Sequence, residues 1–193
     1  MILYANIDDL ALIIQDVLPQ ELFKKVSNYN YNSNELLSSY KDWQKELYED
    51  SSKNKTMRKV ETLNSLAVYE KGEFKHKNII FKNVLETIIK CEWLPFKKKS
   101  GLTLGYYEYG KYSGINWHED TNHTLNYSLY IHDKWEKNWG GETLIDTGRG
   151  LPLAVLPAPN QLVVIKNNVP HKVCPVTGPN KRKVLQIRGW FYN

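Results

Sequence analysis

His118-Glu119-Asp120 and the distant His171 are the residues whose types and spacing can do chemistry in this chain. Side chains alternate along an extended segment, so His118 and Asp120 point to one side and Glu119 to the other. An imidazole and a carboxylate then converge on one point. His171 follows the apolar run LVVIKNNVP and opens a further short β-like segment, so it can join them from a separate strand. Two imidazoles and one carboxylate on one face suit non-haem iron(II), with the opposite positions left open. Catalytic zinc accepts the same donors, but the His-Glu-x-x-His helix motif of zinc proteases is absent. His123 could replace one imidazole only if the local chain turned back, and His76 and His132 read as surface or core residues.

A metal site of this kind needs a rigid frame, and the texture of the chain supplies one from Gly101 onward. LTLGYYEYG, TLNYSLYIHD, ETLIDT, LPLAVLPAP, QLVVIKN, HKVCP and RKVLQIRGWFYN are short, rich in β-branched or aromatic residues, and broken by Gly, Pro, Asn and Asp. Strands punctuated in this way predict a sandwich or barrel. The first hundred residues read instead as a mostly helical flank. Asp8 or Asp9 could cap a helix through about Val17, and Pro19 opens PQELFKKVSNY as a second. Ser33 to Asp50 carries Leu36, Leu37, Tyr40, Trp43, Leu47 and Tyr48 near helical period, and Asn78 to Trp93 forms another helix ending before Pro95. VETLNSLAVYE, between these last two, reads as a strand pair or an irregular strand. The expectation is one α+β domain over 1–193. Helices in 1–100 buttress a jelly-roll-like double sheet in 101–193 that carries the site.

The chain has 193 residues, 41% hydrophobic and 24% charged, which is enough for one domain with its own core. No apolar run approaches the length of a membrane span. The opening MILYANIDDLALIIQDVLP has no basic leader region and places two aspartates in its apolar stretch, so it makes a poor signal peptide. Cys91 and Cys174 are the only cysteines and imply no disulfide framework, so a reducing, cytoplasmic setting is expected. The net charge of +5 gathers partly in Lys53-Asn54-Lys55, Lys97-Lys98-Lys99 and Lys181-Arg182-Lys183, and basic clusters can attract nucleic acid or acidic partners.

A run of short motifs joins these elements. Tyr109-Gly110 is followed by His118-x-Asp120, Leu129-Tyr130-Ile131, Trp135 and Gly140-Gly141-Glu142. His171-x-Val173-x-Pro175-Val176 comes next, then a basic residue about ten positions on, and a closing Gly189-Trp190-Phe191. In order and spacing, this stretch from about Leu102 to Phe191 resembles the 2-oxoglutarate- and Fe(II)-dependent dioxygenases, and within them the prolyl 4-hydroxylase-like branch, procollagen-proline enzymes included. The resemblance implies a double-stranded β-helix core. It also implies Fe(II) on His118, Asp120 and His171, with 2-oxoglutarate and O2 as co-substrates and ascorbate as the candidate reductant.

The distal carboxylate of 2-oxoglutarate needs a cation, and a planar guanidinium can grip it with two hydrogen bonds. Arg182 matches that role. Lys181 competes, because collagen-type members of the family place Lys ten residues after the second His. Alternation puts Arg182, Val184, Gln186 and Arg188 on one face and Lys181, Lys183, Leu185 and Ile187 on the other, and either face could be the inward one. Tyr130 and Tyr109 match co-substrate positions, one at the carboxylate and one near the iron. Trp117, Arg188 and Trp190 are the candidates for the substrate end, and Tyr106, Tyr107 and Tyr112 could join Trp117 in a wall or lid. The implied reaction hydroxylates a C–H bond of a prolyl residue in a peptide or protein.

Two departures from the family pattern keep other readings open. Arg182 to Trp190 is two residues longer than usual, and Arg182-x5-Arg188 matches the nucleic-acid alkyl-repair dioxygenases, which demethylate nucleic acid. A jelly-roll binding module without catalysis is the third reading.

Overall fold

The computed structural model describes residues 1–7, 10–31, 37–38, 60–75, 78–94, 100–120 and 125–191. In chain order the elements are β1 (Ile2–Ile7), β2 (Ala11–Gln15), α1 (Gln20–Ser27), β3 (Leu37–Ser38), β4 (Val60–Glu70), β5 (Glu73–Phe74) and α2 (Ile79–Ile89). They continue with β6 (Ser100–Tyr109), β7 (Ile115–His118), β8 (Leu125–Tyr130), β9 (Thr143–Ile145), β10 (Leu153–Val155), β11 (Leu162–Lys166), β12 (His171–Val173) and β13 (Arg182–Phe191). The major sheet runs β1-β2-β11-β8-β13-β6-β4-β3, with β5 on β4, and the minor sheet runs β10-β9-β12-β7. The pairings are antiparallel. The result is the double-stranded β-helix, or jelly-roll, with helices against one side. The seven segments expected to be strands after Gly101 are all strands.

Two apolar layers explain why the central strands read as nearly continuous hydrophobic runs. Tyr107, Tyr109, Ile115, Tyr130, Ile145, Val163, Ile165, Val173 and Val184 pack between the sheets. Leu102, Leu104, Tyr106, Tyr127, Leu129, Leu185 and Ile187 face the other way, onto Phe23 and Val26 of α1 and Phe81, Val84, Leu85 and Ile88 of α2. Each such fully buried side chain stabilises by about 1.5–3 kcal/mol. The apolar face bearing Leu185 and Ile187 is therefore the helix side of β13, and Arg182 faces the other sheet. α1 follows Pro19 as expected, and α2 is capped by Asn78, whose side chain accepts from the Ile80 amide at 3.0 Å. β4 is one irregular strand, with its register against β6 shifting between Leu63 and Ala67.

The N-terminal flank corrects the sequence reading. The expected helix through Val17 is replaced by strand β2 over Ala11–Gln15. β1 and β2 form an antiparallel pair, and β2 extends the sheet beside β11. Ala11 and Ile13 enter the layer between the sheets while Ile14 joins the helix-side layer, so both faces of β2 are buried and the chain extends. The helix expected over Ser33 to Asp50 lies outside the described residues except Leu37–Ser38, which pair with β4 as strand. Among the described residues of 1–100, α1 and α2 are the helices and strands make up the rest of the regular structure, so this described part is not mostly helical. No helix among the described residues is long and apolar enough to cross a membrane.

Candidate metal centre and its cavity

The minor sheet brings the two imidazoles together by register. β12 lies antiparallel to β7 with His171 directly opposite His118, and the ring centroids are 4.3 Å apart. Asp120 follows the end of β7, and its Oδ2 lies 3.5 Å from His171 Nε2. One donor atom from each of His118, Asp120 and His171 lies within 4.8 Å of the others. The ring nitrogens are assigned by their surroundings. His118 Nδ1 donates to the Asn116 carbonyl at 2.8 Å and His171 Nδ1 donates to the Val169 carbonyl at 2.9 Å, which leaves each Nε2 lone pair for a metal. Burial, and then the neighbouring His118, push the His171 pKa down and keep that imidazole neutral, the form that ligates. Glu119 is exposed and points away.

The donor cluster opens into a cavity of about 480 Å³, its mouth included, lined among others by Tyr107, Tyr109, Asn126, Thr143, Arg182 and Arg188. Arg182 is only 1% exposed. Its Nη2 donates to Tyr130 Oη and Thr143 Oγ1, each at 3.1 Å, and its guanidinium lies 4.7 Å and 4.8 Å from the ring centres of Tyr109 and Tyr130. No carboxylate among the described residues pairs with it, and its Nε has no hydrogen-bond partner among them. A buried cation with only neutral partners is costly unless an anion joins it. The cavity thus joins a metal-type donor set to a buried cation whose chemistry suits an anion. Gly141 makes room for the arginine: its φ is +73°, and a Cβ there would lie 3.3 Å from Arg182 Cδ and 3.0 Å from the Trp135 ring.

Comparison with known proteins agrees with this chemistry. The model of the 2OG-Fe(II) oxygenase superfamily matches residues 104–192, the stretch that contains all three donors and Arg182. Residues 104–192, a little under half of the chain, are thus similar to the 2OG-Fe(II) oxygenase superfamily. Among curated proteins none matches the chain. Solved structures share the fold at low identity. An oxidoreductase of the 2OG-Fe(II) oxygenase family from Burkholderia pseudomallei aligns at TM-score 0.69 and 12% identity, over 96% of this chain and 87% of that one. A prolyl hydroxylase from Trichoplax adhaerens, in complex with a hypoxia inducible factor oxygen degradation domain peptide fragment, aligns at TM-score 0.64 and 14% identity, over 95% and 84%. A Pseudomonas putida prolyl-4-hydroxylase aligns at TM-score 0.59 and 17% identity, over 95% and 92%.

The remaining candidate positions separate by strand alternation. Lys181 stands outside the cavity, its side chain 56% exposed and paired with Glu108, which also accepts from Tyr106 Oη at 2.5 Å. Arg188 lines the cavity and donates to Tyr107 Oη at 2.6 Å. Trp117 is exposed beside His118, with Lys172 Nζ 5.6 Å over its ring. Trp190 is not in the cavity wall: its indole lies over Gly101 on the neighbouring strand, where any Cβ would collide. Of the expected tyrosine wall, Tyr107 faces the cavity, Tyr106 is in the helix-side core and Tyr112 is exposed. His132 is buried with its Nε2 donating to the Pro157 carbonyl at 2.6 Å, and His123 and His76 lie outside the described residues. Sequence reasoning missed Asn126, Ser128, Thr143 and Gln186 as lining residues. The signal was present: Asn126, Ser128 and Tyr130 recur at strand period inside an otherwise apolar segment, opposite Gln186.

Proposed function

We propose that this chain is an Fe(II)- and 2-oxoglutarate-dependent dioxygenase that hydroxylates a C–H bond, with a prolyl residue of a peptide or protein as the acceptor. The observation that carries this reading is the meeting, in one cavity, of a His/His/carboxylate donor set with a buried guanidinium that has no carboxylate partner among the described residues. His118, Asp120 and His171 would hold the iron, a donor set that suits Fe(II) and leaves one face open. When bound, iron and 2-oxoglutarate supply the oxidising power, the keto acid being decarboxylated to succinate as one oxygen atom of O2 reaches the substrate C–H bond. Arg182 would clamp the distal carboxylate of 2-oxoglutarate, with the Tyr130 and Thr143 hydroxyls beside it and Tyr109 packed on the guanidinium. Ile115, Ile165 and Val173 line the same cavity and exclude water around it.

The prolyl acceptor is supported by the fold shared with prolyl hydroxylases, one of them bound to a peptide fragment. Trp117, exposed at the rim next to His118, offers an apolar surface to an extended chain. Ascorbate is the reductant proposed to restore the iron. The whole chain, 1–193, is proposed to act as one domain in the cytoplasm. Arg188 in the cavity favours a second reading, demethylation of nucleic acid, with the second arginine at the substrate end.

The test is succinate formation with Fe(II) and 2-oxoglutarate in the wild type, His118→Ala and Asp120→Ala. Turnover is expected to vanish in both variants, and turnover retained in both would end the proposal. A peptide library read by mass spectrometry, with poly-proline and collagen-like repeats, then separates the prolyl acceptor from nucleic acid. A gain of one oxygen on proline is the expected product, and turnover with an alkylated oligonucleotide alone would transfer the assignment to the second reading.

A further inference from the structure

A ladder of polar side chains leads across the cavity-facing side of the major sheet to Asp120. Ser128 and Gln186 sit directly opposite one another on β8 and β13, and Ser128 Oγ donates to Gln186 Oε1 at 3.0 Å. The Gln186 side-chain nitrogen donates to Asn126 Oδ1, and the Asn126 side-chain nitrogen donates to Asp120 Oδ2. One charge sets the direction of the whole ladder. An ionised carboxylate only accepts, so Asn126 must turn its NH2 toward Asp120. The Asn126 carbonyl then faces Gln186, which must turn its own NH2 toward it and leave its carbonyl for the serine hydroxyl.

We propose that Asn126 and Gln186 are positioning residues that fix the plane of the Asp120 carboxylate and so raise the affinity of the His118, Asp120 and His171 set for a divalent cation. This rests on His118, Asp120 and His171 being the metal ligands. Asp120 stands on the segment after β7, outside any strand ladder, so backbone pairing does not hold its side chain. The hydrogen bond from Asn126 engages one lone pair of Oδ2, the oxygen 3.5 Å from His171 Nε2, and so limits rotation of the carboxylate about its Cβ–Cγ bond. Gln186, itself buried, keeps the Asn126 amide from flipping its oxygen toward the carboxylate. Supporting groups of this kind, when removed, typically weaken metal affinity by about 10–100-fold.

The experiment is titration of Mn(II) into the metal-free full chain without 2-oxoglutarate, followed by electron paramagnetic resonance, and the visible spectrum of the Co(II) form. Gln186→Glu keeps the shape but cannot donate to Asn126, and Gln186→Met removes the donor without adding charge. Both are expected to weaken Mn(II) binding by about 10-fold or more and to change the Co(II) bands, as is Asn126→Leu. Lys181→Ala, which stands outside the cavity, is expected to match the wild type. Gln186→Glu discriminates by sign, because an added negative charge that acted only through space would tighten cation binding. Tighter binding in that variant, or unchanged Mn(II) affinity and Co(II) bands in folded Gln186→Met, overturns the proposal. Failure of the wild type itself to bind Mn(II) would instead overturn the metal-site reading.

Discussion

Replacing Arg182 by Met should move stability and co-substrate affinity in opposite directions. This guanidinium is almost wholly buried, donates to two hydroxyls, packs on two aromatic rings and has no carboxylate partner among the described residues. Exchanging such a charge for an apolar side chain of similar length is often neutral or stabilising, by about 1–4 kcal/mol. Binding of 2-oxoglutarate should suffer in contrast. Truncating one partner of a buried, hydrogen-bonded charge pair costs about 2–5 kcal/mol, and at about 1.4 kcal/mol per tenfold this weakens the co-substrate by roughly 30-fold to several thousand-fold. Arg182→Lys keeps the charge but not the planar fork, so an intermediate loss is expected. Lys181→Ala is the control. Its partly exposed pair with Glu108 contributes at most about 1 kcal/mol, and affinity for 2-oxoglutarate should stay within about threefold of the wild type. The assay is calorimetric titration of 2-oxoglutarate into the Mn(II)-loaded protein without O2, with urea unfolding of the metal-free variants in parallel. Unchanged 2-oxoglutarate affinity in Arg182→Met, or a larger loss in Lys181→Ala, would refute the assignment of the anion seat to Arg182.

Gly141→Ala places a Cβ against Trp135 and Arg182 at a φ of +73°, and the left-handed backbone alone costs about 1–2 kcal/mol. Both the melting temperature and 2-oxoglutarate affinity should fall, measured by calorimetry. Burial holds His132 neutral, its pKa lowered to about 4. Above about pH 6.5 the folded and unfolded chains are both neutral there, and as the pH falls toward 4 only the unfolded chain gains the proton. Wild-type stability in urea should therefore drop relative to His132→Gln by about 3 kcal/mol between pH 7 and pH 4. If the acceptor is a peptide, its binding should vary little with salt, whereas a nucleic-acid acceptor would weaken steeply as salt rises. Gel-shift titrations at two salt concentrations distinguish them.

The strands after Gly101 were legible because turn residues bound each of them, and the metal donors because His118 and Asp120 share a side of one extended segment. The choice between Arg182 and Lys181 was not legible. Alternation places them on opposite faces of β13, but both faces of the major sheet are buried, one under the minor sheet and one under α1 and α2. Hydrophobicity therefore could not say which face was inward. The same double burial hid β2: Ala11-Leu12-Ile13-Ile14 reads as a helical apolar run, and only the neighbouring β11 shows that it is a strand. Asn126, Ser128 and Gln186 escaped notice for a related reason. Each is an ordinary polar residue alone, and they become a ladder only when β8 and β13 pair in the observed register.

Register is also what makes a metal centre from residues so far apart in sequence. His118 and His171 are opposite one another because β12 lies between β7 and β9, with Lys172 beside Leu144 and Val173 beside Thr143. A slip of one residue would turn His171 outward and bring Lys172 in, since the side-chain period of a strand is two. What prevents the slip is apolar packing between the sheets and a contact just beyond β12. Val173 is buried between the sheets with Ile115 and Ile145, and Gly140, at a φ of +68°, bridges to Val176 just beyond β12. A Cβ at Gly140 would come within 2.3 Å of the Pro175 carbonyl, so Gly140→Ala should loosen this clasp. Its effect should appear as weaker Mn(II) binding, although Gly140 touches none of the three donors. Mn(II) affinity equal to that of the wild type, in a variant whose melting temperature has fallen, would show that the clasp stabilises the fold without setting the register of the site.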